Sequence, residues 1–106
     1  MTKIACTHSA GETTLKITGR VDTSQSMKVR DYLTKILSDK FTLCRMDLSG
    51  LTETDISFIQ LVISFRKSVL ESERQFSLES VAPSKVFISQ AAALGIDMDY
   101  FSRQGD

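Results

Sequence analysis

Met46-Asp47-Leu48-Ser49-Gly50-Leu51-Thr52-Glu53-Thr54-Asp55-Ile56-Ser57 decides how this chain is read. A half-buried strand ends in Asp-Leu-Ser-Gly, a short polar loop follows, and Asp55 opens a long apolar helix. Helix N-termini carry unpaired N–H groups and partial positive charge, so this junction suits an anionic group or a partner's grasp. The residue directly after Asp55 is Ile56, which has no hydroxyl.

Downstream of the junction, the helix runs to about Glu71. Its apolar residues Ile56, Phe58, Ile59, Leu61, Val62, Ile63, Phe65, Val69 and Leu70 spread over roughly 220° of the circumference, well beyond the stripe of an ordinary surface helix. Such a helix is central, touched on two sides, or leaves an apolar margin for a partner. Gln75 to Val81 alternates as a fourth strand with Phe76 and Leu78 inward. Pro83-Ser84 starts a third helix with Val86, Phe87, Ala91 and Leu94 as core candidates, and Gly95 is placed to cap its end. The tail 96–101 has apolar mass enough to pack back.

Upstream, Phe41 to Leu48 alternates as a strand. Cys44, Met46 and Leu48 share one face, and Leu43, Arg45 and Asp47 share the other. A face holding Arg and Asp is not fully covered, which predicts helices on one side of the sheet. Ile4, Cys6 and His8, then Leu15, Ile17 and Val21, mark two short strands joined as a hairpin through Ser9-Ala10-Gly11-Glu12. Asp22-Thr23-Ser24 is a helix-start cluster, and Val29, Tyr32, Leu33, Ile36 and Leu37 follow at helical spacing. The order β-β-α-β-α-β-α is that of an α/β layer. If both helix starts lie on one edge of the sheet, Asp22 and Asp55 approach one another.

A chain of 106 residues is read as one domain, 1–106, with a single core. Thirteen basic and thirteen acidic residues cancel, so no basic footprint for nucleic acid is present. The N-terminus lacks a signal-peptide pattern and no window approaches a membrane span of about 20 apolar residues, which makes the cytoplasm the expected location. Cys6 and Cys44 read as small buried residues in a reducing compartment. His8 is the only histidine, no Cys/His cluster exists, and neither phosphate loop nor nucleophile elbow is visible. No catalytic residue, metal site or cofactor is therefore expected.

The placed elements resemble the STAS domain family, named for sulfate transporters and anti-sigma-factor antagonists, over nearly the whole length. Gly19-Arg20-Val21-Asp22 is similar to the family's Gly-x-Leu/Val-Asp segment, and Met46 to Leu51 to its hydrophobic-Asp-Leu-Ser-Gly-Val strand end. Thr54-Asp55-Ile56-Ser57-Phe58 falls where the family has Asp-Ser-Ser-Gly or Asp-Ser-Ala-Gly. Phe76 to Gly95 resembles its closing segment. The resemblance implies a mixed sheet of four to five strands with helices mainly on one face. It also implies a non-catalytic bacterial module that binds a protein partner: an anti-sigma kinase-like regulator or a sensory or chemotaxis complex.

In that family the serine after the Asp is phosphorylated to release the partner. Ile56 stands at that serine and Phe58 at the glycine, which leaves Ser57 and Thr54 as the alternative phosphoacceptors. The partner-binding residues expected on this basis are Asp22, Thr23, Ser24, Thr54, Asp55, Ile56, Ser57 and Phe58. Ile56 and Phe58 read equally as a permanent contact or as packing under the adjoining loop. The alternative function is a soluble STAS accessory subunit on the ATPase of an ATP-driven lipid transport complex, and a small-ligand sensor on the Asp22/Asp55 edge is the third.

Overall fold

The computed structural model of the chain describes residues 2–78, 85–97 and 99–102. The Pro83-Ser84 helix start and the strand residues expected at 79–81 lie outside them.

Strands β1 (Thr2–Ser9) and β2 (Glu12–Val21) form the expected antiparallel hairpin. Its two-residue turn has Ala10 at φ 50° and Gly11 at φ 81°, the positive pair whose twist matches that of the strands. Helix α1 (Thr23–Leu37) leads to β3 (Leu43–Asp47), then β4 (Leu51–Thr54), α2 (Ile56–Glu71), β5 (Gln75–Leu78), α3 (Lys85–Ala93) and the single turn α4 (Asp99–Ser102). The sheet runs β1-β2-β3-β5, with β4 also on β2. Among the described strands only the hairpin is antiparallel.

The stretch after Gly50 differs from its expected form. Leu51–Thr54 is a strand, not a loop, and pairs parallel with β2. Thr52 and Glu53 are exposed, so no burial pattern betrays it; backbone pairing with the free length of β2 makes it a strand. β3 takes the first half of β2 (Glu12 to Lys16) and β4 the second (Gly19 to Val21), as two pieces of one broken strand line.

At the break, Asp47 accepts from Ser49 N at 2.9 Å and Ser49 Oγ at 2.7 Å, and Gly19 N donates to Gly50 O at 3.0 Å. A Cβ on Gly50 would lie 2.5 Å from Thr18 Cγ2, so only glycine allows this approach. Gly50→Ala is expected to destabilise the fold by about 1–3 kcal/mol, the usual range for overpacking, read as a lower urea midpoint at unchanged m.

Inward residues of the strands (Leu15, Ile17, Cys44, Met46, Phe76, Leu78) meet one layer of helices. The opposite face is half open, with Lys16 exposed and Leu43, Arg45 and Asp47 partly so; Arg45 Nη2 pairs there with Glu12 Oε1 at 2.9 Å. Helices thus cover mainly one face, as the Arg and Asp on β3 predicted. The width of the α2 stripe has a simple cause: α2 packs on α1, α3 and β5. Phe58 meets Phe87 edge-on at 6.1 Å, and Phe65 meets Phe76 at 6.0 Å.

Within this helix Arg66 is fully buried, its guanidinium 4.5 Å over the Tyr100 ring. Periodicity gave no hint of that. Cys44 is buried and free, its thiol pushed up to about 12, chiefly by that burial, whereas Cys6 is only half-buried.

Candidate functional site

The parallel register pairs Arg20 with Glu53 and Val21 with Thr54, so β2 and β4 end at the same level. Each strand passes through one extended residue into a helix: Asp22 (φ −123°) into α1 and Asp55 (φ −141°) into α2. The two helix starts therefore sit side by side, which brings Asp22 and Asp55 to one edge.

Each carboxylate is a cap. Asp22 Oδ1 accepts from Ser24 N at 2.8 Å, and Gln25 Oε1 accepts from Asp22 N at 3.0 Å, closing a reciprocal capping box. Arg20 Nε donates to Asp22 Oδ2 at 2.6 Å and lies 3.6 Å from Glu53 Oε2. Asp55 does more than cap its own helix. Its Oδ1 accepts from Ser57 N at 3.1 Å and Ser57 Oγ at 2.5 Å. Its Oδ2 accepts from Thr23 N at 3.0 Å and Thr23 Oγ1 at 2.9 Å. One carboxylate thus satisfies free donors at the starts of two helices and ties them together.

These bonds set the ionisation. The hydrogen bond from Arg20, then that from the Ser24 backbone, holds Asp22 below the ordinary carboxylate range. For Asp55, burial alone would raise the value, but the bonds from Ser57 and Thr23 together outweigh it and the net shift is downward. Folded values below unfolded ones mean that the stability they supply is complete above the unfolded carboxylate range, about pH 4, and disappears as pH falls through the folded values. Urea midpoints measured from pH 7 down to pH 3 are expected to be level at first and then to fall. Asp55→Asn, which keeps a capping oxygen but not the charge, is expected to start lower and to show a shallower acid limb.

The expected contact residues divide. Thr23 and Ser24 are exposed beside Asp22, and Ile56 is 39% exposed at the first position of α2. Ser57 is half-buried, its hydroxyl committed to Asp55. Phe58 is corrected: its side chain is 0% exposed and packs on Phe87, so it is core and not a contact. The Thr54 hydroxyl is corrected as a phosphoacceptor too. Its Oγ1 is buried, with no hydrogen-bond partner among the described residues, so the hydroxyl is not presented at the surface. Ile56 and Phe58 part by helical direction, because positions two apart on a helix point about 200° apart: the first faces outward and the second into the core.

Arg20 and Gln25 belong to the edge and were not singled out as site residues; the Asp22-x-x-Gln25 spacing of a capping box was the available signal for Gln25. Met27 is 65% exposed on α1. With Ser26, Arg30, Ser57, Gln60 and Leu61 it lines a shallow groove of about 230 Å³ between α1 and α2. His8 lies at the other end of β2, its Nδ1 2.9 Å from Thr13 Oγ1. Among the described residues no group of three His, Cys, Asp or Glu side chains is placed to hold a metal ion. No helix among them is long and apolar enough to cross a membrane.

Over residues 4–98 the chain matches the family model described as Mlab, STAS domain. No curated protein matches it. Among solved structures, an anti-sigma factor antagonist from Mycobacterium paratuberculosis superposes with a TM-score of 0.78 at 13% identity, covering 90% of this chain and 79% of that one. The anti-sigma factor antagonist SpoIIAA in its unphosphorylated form gives 0.69 at 16% identity, covering 90% and 81%. The phosphorylated form of SpoIIAA, a Bacillus cell fate determinant, gives 0.65 at 14%, covering 90% and 86%. With a matched span that takes in both helix starts and a sheet that superposes on these antagonists, the chain belongs to the STAS domain family.

Proposed function

We propose that this STAS domain is a non-catalytic regulatory module that docks a bacterial protein partner through the edge formed by Asp22, Thr23, Ser24, Ile56 and Ser57. The observation that carries the reading is Ile56: a half-exposed apolar side chain beside the Asp55 carboxylate that locks both helix starts. A rigid edge needs little ordering on binding, and an apolar group at its centre gives a contact no kinase can switch at that position.

Ser57 is a poor substitute switch. Its Oγ is 2.5 Å from Asp55 Oδ1, and a phosphate there would set nearly two more negative charges against that carboxylate. The partner class favoured by the structural likeness is the kinase-like anti-sigma regulator. The resemblance to the STAS family carries a second reading, a constitutive accessory subunit of an ATP-driven lipid transporter. Loss of the switch hydroxyl suits it equally.

Titration of the purified protein against a kinase-like anti-sigma factor and against a transporter ATPase subunit from the same genome separates the two readings. Saturable binding to one, weakened by substitution at Ile56, identifies it. Binding to neither, or binding that is indifferent to the edge, rejects the docking reading.

A further inference from the structure

Strand β1 is the last strand on its side of the sheet among the described residues. Eight residues at about 3.4 Å each span roughly 27 Å, nearly the full 31 Å of the molecule's longest extent. Most of the devices that usually blunt an edge are missing: β1 contains no proline and its register with β2 has no bulge, which leaves Lys3 as its one blunting charge.

The direction of its free backbone groups follows from the turn. The two-residue Ala10–Gly11 loop makes Ser9 and Glu12 a hydrogen-bonded pair, and bonding alternates from there. Ser9, Thr7, Ala5 and Lys3 turn their N–H and C=O toward β2. His8, Cys6, Ile4 and Thr2 turn theirs outward.

We infer that β1 is a self-pairing edge, on which a second copy of this chain adds antiparallel to continue the sheet across a two-fold axis at Ala5. This goes beyond the docking edge and does not depend on it: β4 pairs on the other side of β2 and leads there into the Asp55 start of α2, while of the docking edge Gln25 at the start of α1 lies near Thr2 and Ile4. The register is constrained. Outward-bonding residues must pair with outward-bonding residues, and the arrangement that uses the whole strand sets Thr2 opposite the copy's His8, Ile4 opposite Cys6, Lys3 opposite Thr7 and Ala5 opposite itself. No like charges face each other.

The side chains agree with the backbone. Ile4 and Cys6 are half-buried apolar residues at the sheet margin, on the helix side with Tyr32. Ile4 and Tyr32 also line a cleft of about 400 Å³ with Val29 and the stem of Lys28. In this register Ile4 packs against Cys6 of the copy on that same side, so the apolar margin left open in one chain is covered by its two-fold mate.

Sedimentation across a concentration series is expected to show a reversible dimer. Ala5 is exposed in the single chain, so Ala5→Glu leaves folding intact while setting two carboxylates across the axis; it is expected to give a monomer that melts where the wild-type chain melts once diluted below its dimerisation range. In a Cys6→Ser background, Ala5→Cys is expected to oxidise to a disulfide-linked dimer. Thr7→Cys is expected not to, because position 7 faces position 3. A wild-type chain that stays monomeric, a dimer that survives Ala5→Glu, or cross-linking through position 7 instead of 5 would overturn the assignment. So would a monomer whose β1 edge takes up an extended peptide of another protein.

Discussion

Phe58→Gly is expected to cost about 4–6 kcal/mol of folding stability, the loss of a buried Phe plus that of a glycine inside a helix. Phe58 is fully buried, edge-on to Phe87, which in turn stacks at 5.4 Å on Phe101. Removing the first ring opens a cavity at the joint of α2, α3 and α4 that backbone relaxation cannot close. Against a total stability of about 5–15 kcal/mol such a loss is roughly a third or more of the whole, and at the low end of that range it leaves the variant partly unfolded. Urea denaturation followed by circular dichroism checks it, with Phe58→Leu as the milder control. A variant as stable as the parent would show that this α2 start packs independently of α3. The result also says why a glycine at that position, usual in the resemblance, is not interchangeable here: the core is built around the ring.

Ile56→Asp has the opposite signature. Its side chain is 39% exposed and lies outside the core, so stability is expected to change by no more than about 0.5 kcal/mol. Partner affinity is expected to fall by about 30-fold or more, the effect of losing a central apolar anchor worth roughly 2 kcal/mol. Calorimetric titration with the partner, beside a thermal melt of each variant, separates the two quantities. Unfolding without any specific loss of binding would return Ile56 to a packing role. Ile56→Ser then distinguishes partner classes. A kinase-like partner is expected to phosphorylate the introduced hydroxyl and dissociate, whereas a transporter subunit would merely bind less tightly.

Much of this was legible in order of residues. Alternation along Ile4 to Val21 and Phe41 to Leu48 has a strand's period of two, and the α1 and α2 stripes have a helix's period of 3.6; both are local consequences of backbone geometry. Asp22 and Asp55 announced helix starts because short carboxylates reach the first free N–H groups. Other features carried no local signal. β4 is a strand only because β2 has length to spare, and its own residues are half exposed. Arg66 sits in the core with the ring of Tyr100, far along the chain, against its guanidinium.

The sequence by itself determined the β1–β2 hairpin, the third strand, the starts of α1 and α2, and that the position after Asp55 carries no hydroxyl, since these depend on neighbours within a few residues. Only the tertiary structure decided that Ile56 faces outward while Phe58 faces inward, and that one Asp55 carboxylate bridges to Thr23 on another helix. The parallel pairing of β2 with β4 aligns two strand ends that are 33 residues apart, and no pattern along the chain encodes that alignment before the sheet assembles.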